Sequence, residues 1–161
     1  MPEISSKSNS IKIVSAKRDD LSLVYEITQK TIDAVYPHYY PAGAVDFFKK
    51  HHCEENILSD IENGIVYLLT DEEKCVGTVT VKGNEICRLF VLPEFQGKGY
   101  GRVLLDFSEE KVFENEDRIV LDASFSAKAI YTKRGFTDTG YHTIRTENGD
   151  CLCYDAMEKR K

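Results

Sequence analysis

The residues best suited to chemistry lie in the loop Pro93-Glu94-Phe95-Gln96-Gly97-Lys98-Gly99-Tyr100-Gly101-Arg102. An apolar run, Leu89-Phe90-Val91-Leu92, leads into it, and the helical pattern Val103-Leu104-Leu105-Asp106-Phe107 follows. The order is strand, loop, helix N-terminus. The first turn of a helix carries backbone N–H groups without internal partners, and its dipole favours negative charge there. Glycines at 97, 99 and 101 let the backbone approach a ligand and adopt positive φ. Such a segment is suited to a phosphate or pyrophosphate. It is not a P-loop, because no Ser or Thr follows Gly97-Lys98. It is not the dinucleotide fingerprint either, since it reads Gly-x-Gly-x-Gly and lies in mid-chain.

The loop Gln96-Gly97-Lys98-Gly99-Tyr100-Gly101 resembles Gln/Arg-x-x-Gly-x-Gly/Ala, the acyl-CoA loop of the GNAT superfamily of N-acetyltransferases. A second segment, Ser124-Phe125-Ser126-Ala127-Lys128-Ala129-Ile130-Tyr131-Thr132-Lys133-Arg134-Gly135-Phe136, is similar to a later signature of the same superfamily. Ser124 stands where Asn is commoner. The resemblance runs over roughly residues 11–158. It implies acetyl-CoA as co-substrate and a sheet of about seven mostly antiparallel strands. Two central strands, equivalent to 85–92 and 119–123, would splay apart in a V. The pantetheine arm would enter that gap and bond to the backbone of Leu89, Phe90 and Val91. Gln96, Gly97, Lys98, Gly99, Tyr100, Gly101 and Arg102 would surround the phosphates, and Ser124 would bond the cofactor or a nearby water.

Acetyl transfer to an amine needs an acceptor that has lost its proton, a polarised thioester carbonyl and a stabilised leaving thiolate. The resemblance makes Tyr131 the proton donor to the thiolate. It also makes Glu85, at the start of the strand entering the loop, a candidate general base, with a chain of waters and no single base as the alternative. Strict alternation would put Glu85, Cys87, Leu89 and Val91 on one face. A carboxylate in a largely apolar cleft has its pKa raised, which suits a base acting through water. The alternative for Glu85 is a solvated strand-end carboxylate. Cys87 is the one strand cysteine near the site that could support an acyl-enzyme. Lys133 and Arg134 are candidates for the 3′-phosphate of CoA. His38, His51 and His52 read as surface residues, and His142 as a strand residue near the acceptor side. Tyr36, His38, Tyr39 and Tyr40 form an aromatic loop that could line the acceptor site or seal the core.

The surrounding elements follow from periodicity. Strands are expected at 11–16, 65–70, 75–81, 85–92, 119–123, 136–146 and 151–157, and helices from 21, at 44–52, 54–63, 100–114 and 126–134. Asp19 or Asp20 is the expected cap of the first long helix. This order fits a mixed α/β sheet with helices on both faces. Residues 1–10 read as a polar lead, and 11–161 as one domain. A net charge of −6 argues against nucleic acid as the partner. No apolar run approaches a membrane span. Five scattered cysteines, Cys53, Cys75, Cys87, Cys151 and Cys153, suit a reduced, cytoplasmic protein with no metal site. The expected partner is a small-molecule amine. Acetylation of a protein or peptide, or acyl-CoA sensing without turnover, are the competing functions. A homodimer through the edge Cys151–Tyr154 is also expected.

Overall fold

The computed structural model describes residues 10–161; most of the expected N-terminal lead, residues 1–9, lies outside the described residues. The chain forms β1 (Ile11–Ser15), α1 (Leu21–Val35), α2 (Ala42–His51), α3 (Glu54–Glu62), β2 (Val66–Asp71), β3 (Lys74–Lys82) and β4 (Glu85–Val91). It continues through α4 (Tyr100–Phe113), β5 (Arg118–Ala123), α5 (Lys128–Lys133), β6 (Thr137–Arg145) and β7 (Cys151–Arg160). Short 3-10 turns at Arg18–Asp20, Tyr36–His38 and Pro93–Phe95 complete it. Asp20 does occupy the N-cap position of α1, but its carboxylate accepts a hydrogen bond from the Lys17 backbone N–H instead of capping the helix.

The seven strands form one sheet in the order β1-β2-β3-β4-β5-β7-β6. All neighbours are antiparallel except β4 and β5. Two apolar clusters cover the two faces. One joins α4, with Leu104, Leu105 and Val112, to Ile86, Val91 and Leu121 of the sheet. The other joins α1, α2 and α3, with Val24, Ile27 and Ile57, to Val66, Phe90 and Leu152. Gly77 on β3 lets α4 lie close to the sheet. A Cβ there would stand 2.8 Å from the Phe90 carbonyl oxygen and 3.1 Å from Leu104 Cδ1.

Two features differ from strict periodicity. The first is a bulge in β4. Thr78 pairs with Phe90 and Thr80 with Cys87, so Arg88 and Leu89 together oppose Val79. Arg88 carries the bulge at φ +49°, a backbone region that costs a non-glycine residue energy. The bulge exchanges the faces of the strand. Ile86, Leu89 and Val91 pack toward α4, whereas Phe90 packs toward α1. Glu85 and Cys87, opposite Ile86, therefore share the α1 face with Phe90, not with Leu89 and Val91 as alternation predicts.

The second is the outer edge. β7 lies between β5 and β6, so the terminal strand of the sheet is β6, not the Cys151–Tyr154 segment. Residues 151–154 extend beyond the end of β5, whose last partner is Asp155. There the Tyr40 hydroxyl donates to the Cys153 carbonyl at 3.0 Å.

Candidate active site

β4 and β5 pair at a single position, Glu85 with Val120, and then part. Backbone groups of β4 beyond that point, on the side facing β5, have no strand partner. A buried backbone left so is unstable unless something else bonds it. One such group is already taken: the Val91 carbonyl accepts the Gln96 side-chain amide at 2.9 Å. Gln96 thus braces the strand end, and it also lines the cleft. The gap opens into a cleft of about 590 Å³, lined by residues of α1, α2, β4, β5, α5, β6, β7 and the glycine loop.

At one end of the cleft stands the N-terminus of α4. Gly97 and Gly99 adopt φ of +77° and +88°, and Gly99 is the N-cap. Nothing lies within 4 Å of a Cβ built on either, so their role is conformational. Gly101 is helical and lines the cleft. The 14-residue helix directs its free N–H groups and its dipole at this end. Arg102 also lines it, whereas the Lys98 ammonium lies 5.5 Å from the Phe95 ring centroid. Tyr100 donates to Asp71, which also accepts from Ser10.

Tyr131 stands across the gap on α5. The short helix is held to β7 by Lys128 Nζ, 3.1 Å from the buried Asp155 carboxylate. The Tyr131 ring packs edge-on against Phe136, with centroids 5.6 Å apart. Its hydroxyl makes no hydrogen bond among the described residues. No side-chain nitrogen or oxygen sealed from solvent lacks a partner there, so this hydroxyl reaches the open cleft. Burial, with Tyr36 and Cys87 nearby, pushes it well above the ordinary phenol range. Burial also raises the Tyr36 hydroxyl, against the opposing effect of Ser124. Ser124 itself hydrogen-bonds Ser126 at 2.8 Å. Tyr131, Tyr36, Cys87 and Ser124 therefore meet around one part of the cleft.

Glu85 lies at the other end of β4, roughly 20 Å along the strand from Val91. Its carboxyl is raised above the usual range, first by burial and then by the Asp122 carboxylate. Burial and the Glu85 carboxylate push the Cys87 thiol up to about 12. That thiol is protonated at neutral pH and is a poor nucleophile.

Several expected roles change. Arg134 is not free for a phosphate: it pairs with Asp106 and Glu109, and Lys159 joins Glu109. His52 is not a surface residue. Its Nδ1 accepts from Arg88 Nε at 3.3 Å, and its ring meets Phe90 edge-on at 5.8 Å. Tyr36 and Tyr40 are buried in the core, and Tyr39 is exposed. Tyr36 alone of this loop lines the cleft, so the aromatic loop serves both the core and the site. The sequence reading missed Arg88, buried beside the cleft and bonded to Thr80 and Asp60. An arginine inside the apolar strand Ile86–Val91 was the available signal, because such a charge is kept only with a partner.

A family model described as an acetyltransferase (GNAT) domain matches residues 35–158, more than half of the chain. An uncharacterized N-acetyltransferase of Staphylococcus saprophyticus is 42% identical over 55 residues, which are 34% of this chain. The matched segment spans only 35% of that relative. A GCN5-related N-acetyltransferase from Rhodopseudomonas palustris superposes with a TM-score of 0.85 at 21% identity, covering 94% of this chain and 96% of that one. YncA of Salmonella typhimurium, solved with acetyl-CoA, gives a TM-score of 0.70 at 19% identity over 94% of each chain. The splayed parallel pair, the glycine loop at the helix N-terminus and the family match agree: this chain belongs to the GNAT family of acetyltransferases.

Proposed function

We propose that the protein transfers the acetyl group of acetyl-CoA to the primary amine of a small molecule, directly, in a ternary complex. The observation that carries this reading is the Tyr131 hydroxyl, open to the cleft between the parted strands. Acetyl-CoA in a structural neighbour supports the choice of donor. The residues of this chain fit that donor. The α4 N-terminus and Gly97–Gly101 suit its pyrophosphate. The unpaired edge of β4 at Leu89 suits the amides of its pantetheine arm, with Val91 offering what Gln96 leaves free, whereas Phe90 is paired with Thr78 of β3.

In the reaction the amine nitrogen attacks the thioester carbon. The C–N bond forms, the C–S bond breaks, and the amine proton leaves through water to Glu85. The developing oxyanion meets N–H groups of the β4 edge, and Tyr131 donates its hydroxyl hydrogen to the departing sulfur. The proton taken by Glu85 and returned through solvent restores the phenol.

Two outcomes test these roles. Glu85 gives an acid limb to the pH profile of kcat/KM, because the rate rises as its raised carboxyl ionises. Asp122→Asn removes a nearby negative charge and moves that limb to lower pH, and Glu85→Gln loses Glu85's part of it. Cys87→Ala keeps turnover within a few-fold, and the wild-type protein shows no acetylated species in an intact-mass spectrum after incubation with acetyl-CoA alone. A stable acetyl adduct on Cys87, lost with the activity in the alanine variant, would replace direct transfer by an acyl-enzyme route.

A further inference from the structure

The half of the cleft remote from the glycine loop is built for one kind of acceptor. Its walls come from Tyr36 at the end of α1, Phe47 and Phe48 on α2, and Ile144, Leu152 and Tyr154 on β6 and β7. These are aromatic and aliphatic surfaces. Phe47 and His51 lie parallel at 4°, with centroids 6.4 Å apart, and Phe47 meets Phe48 edge-on. His52, which also lines this half, is held neutral: burial, the Arg88 guanidinium and His51 depress it to about 3.

Negative charge is confined to one spot. Among the described lining residues the only carboxylates are Glu85 and Asp122, and Asp122 is close enough to raise the Glu85 carboxyl. The one arginine of this half, Arg88, is committed to Asp60 at 2.9 Å and to Thr80 at 3.0 Å. A polyamine would need carboxylates spaced along its length. A free amino acid would need a cation for its own carboxylate. A sugar would bring hydroxyls against walls that offer few partners, and unpaired buried polar groups are costly.

The two walls are also fastened together. The Gly43 amide of α2 donates to the Asp150 carboxylate of the β6–β7 turn at 2.8 Å. Asn148 of that turn fills the space where a Gly43 Cβ would be, at 2.0 Å from Oδ1. Lys50 reaches Glu147 at 3.5 Å. Tyr40 ties the loop before α2 to both Cys153 and the Phe125 amide. A peptide running out between α2 and the hairpin would have to break this set of bonds.

We infer that the acceptor is a monoamine: one primary ammonium, held at Glu85 and Asp122, on a short arm from a single uncharged aromatic ring that packs between Phe47 and Tyr154. This rests on the acetyltransferase reading above and narrows its substrate class. An edge or face contact with several aromatic side chains favours a flat ring over a chain of the same carbon count.

The test measures kcat/KM with acetyl-CoA for 2-phenylethylamine, spermidine, glucosamine, alanine and an unblocked tetrapeptide, with calorimetric titration of acetyl-CoA alongside. The expected result is at least tenfold preference for 2-phenylethylamine. Phe47→Leu, which keeps apolar volume and loses the ring, lowers that value by about tenfold with acetyl-CoA affinity as the control. Preference for spermidine, glucosamine, alanine or the peptide overturns the inference and leaves the acetyltransferase reading standing. Binding of acetyl-CoA without turnover of any of the five amines also overturns it. Failure to bind acetyl-CoA is the distinct result that removes the acetyltransferase reading itself.

Discussion

Tyr131→Phe is expected to lower kcat by about 10²–10³-fold and to leave acetyl-CoA affinity nearly unchanged, as read by steady-state kinetics beside calorimetry. The ring contact with Phe136 survives the change, so the fold is preserved and only the hydroxyl is lost. The size of the effect depends on matching donor and acceptor basicity. An ordinary thiol titrates near 8.5, well below a buried phenol, and such a phenol would be a weak acid toward it. The cleft narrows the difference. Burial that raises Tyr131 acts on any thiolate released there, and the neighbouring Cys87 thiol, pushed up to about 12, shows how strongly. A leaving sulfur made more basic in this way accepts the Tyr131 hydrogen more readily than an ordinary thiolate would. If Tyr131→Phe kept full turnover, the hydroxyl would be a packing feature and the leaving group would be served by water.

The second large effect concerns stability. Arg88 has a nearly buried side chain, paired with Asp60, whose own side chain is largely covered. Asp60→Ala leaves that guanidinium without its counter-charge and is expected to cost about 3 kcal/mol, measured by denaturant unfolding. The same group imposes a pH dependence. His52 must be neutral to accept from Arg88, and its folded pKa lies near 3 against 6.5 for the free side chain. Between those values the unfolded chain binds a proton that the folded chain refuses. The stabilisation is therefore complete above pH 6.5 and declines as pH falls toward 3, by about 1.4 kcal/mol per pH unit. Unfolding curves at pH 7 and 5.5 should differ accordingly, and His52→Asn, which can still accept from Arg88, should flatten the difference. An unchanged slope in that variant would assign the acid sensitivity elsewhere.

These two regions mark what the sequence could and could not disclose. Tyr131 was legible through the resemblance of residues 124–136 to a family signature, whereas the glycine loop and the helix it opens were legible because each is local, a turn and a helix N-terminus. Element order and the sheet's mixed character were legible for the same reason, from hydrophobic period. The bulge at Arg88 was not, because alternation assumes an unbroken pleat and a single extra residue exchanges faces. His52 looked exposed because nothing nearby in sequence announces Arg88, thirty-six positions later. Arg134 looked available for phosphate until α4 supplied Asp106 and Glu109. The edge strand was misplaced because pairing order across β5, β7 and β6 is a long-range property. In each case the missing information was a partner brought by the fold.

The bulge also explains why the site has two halves. By exchanging faces within β4, it lets Leu89 and Val91 pack toward α4 while Glu85 and Cys87 point toward α1 and α2. Under the proposed function, one strand thus serves a donor end beside the glycine loop and an acceptor end beneath the aromatic wall. No helix among the described residues is long and apolar enough to cross a membrane. No group of three or more His, Cys, Asp or Glu among those residues is placed to hold a metal ion.

The most direct measurement of the central claim is calorimetric titration of acetyl-CoA into the wild-type protein and into Gly99→Val. The wild type should bind one acetyl-CoA per chain. The variant should bind about tenfold more weakly, because a branched residue at φ +88° strains the turn that presents the α4 N-terminus. No binding to the wild type, or equal affinity in both proteins, would contradict an acyl-CoA site built from the glycine loop and the parted strands.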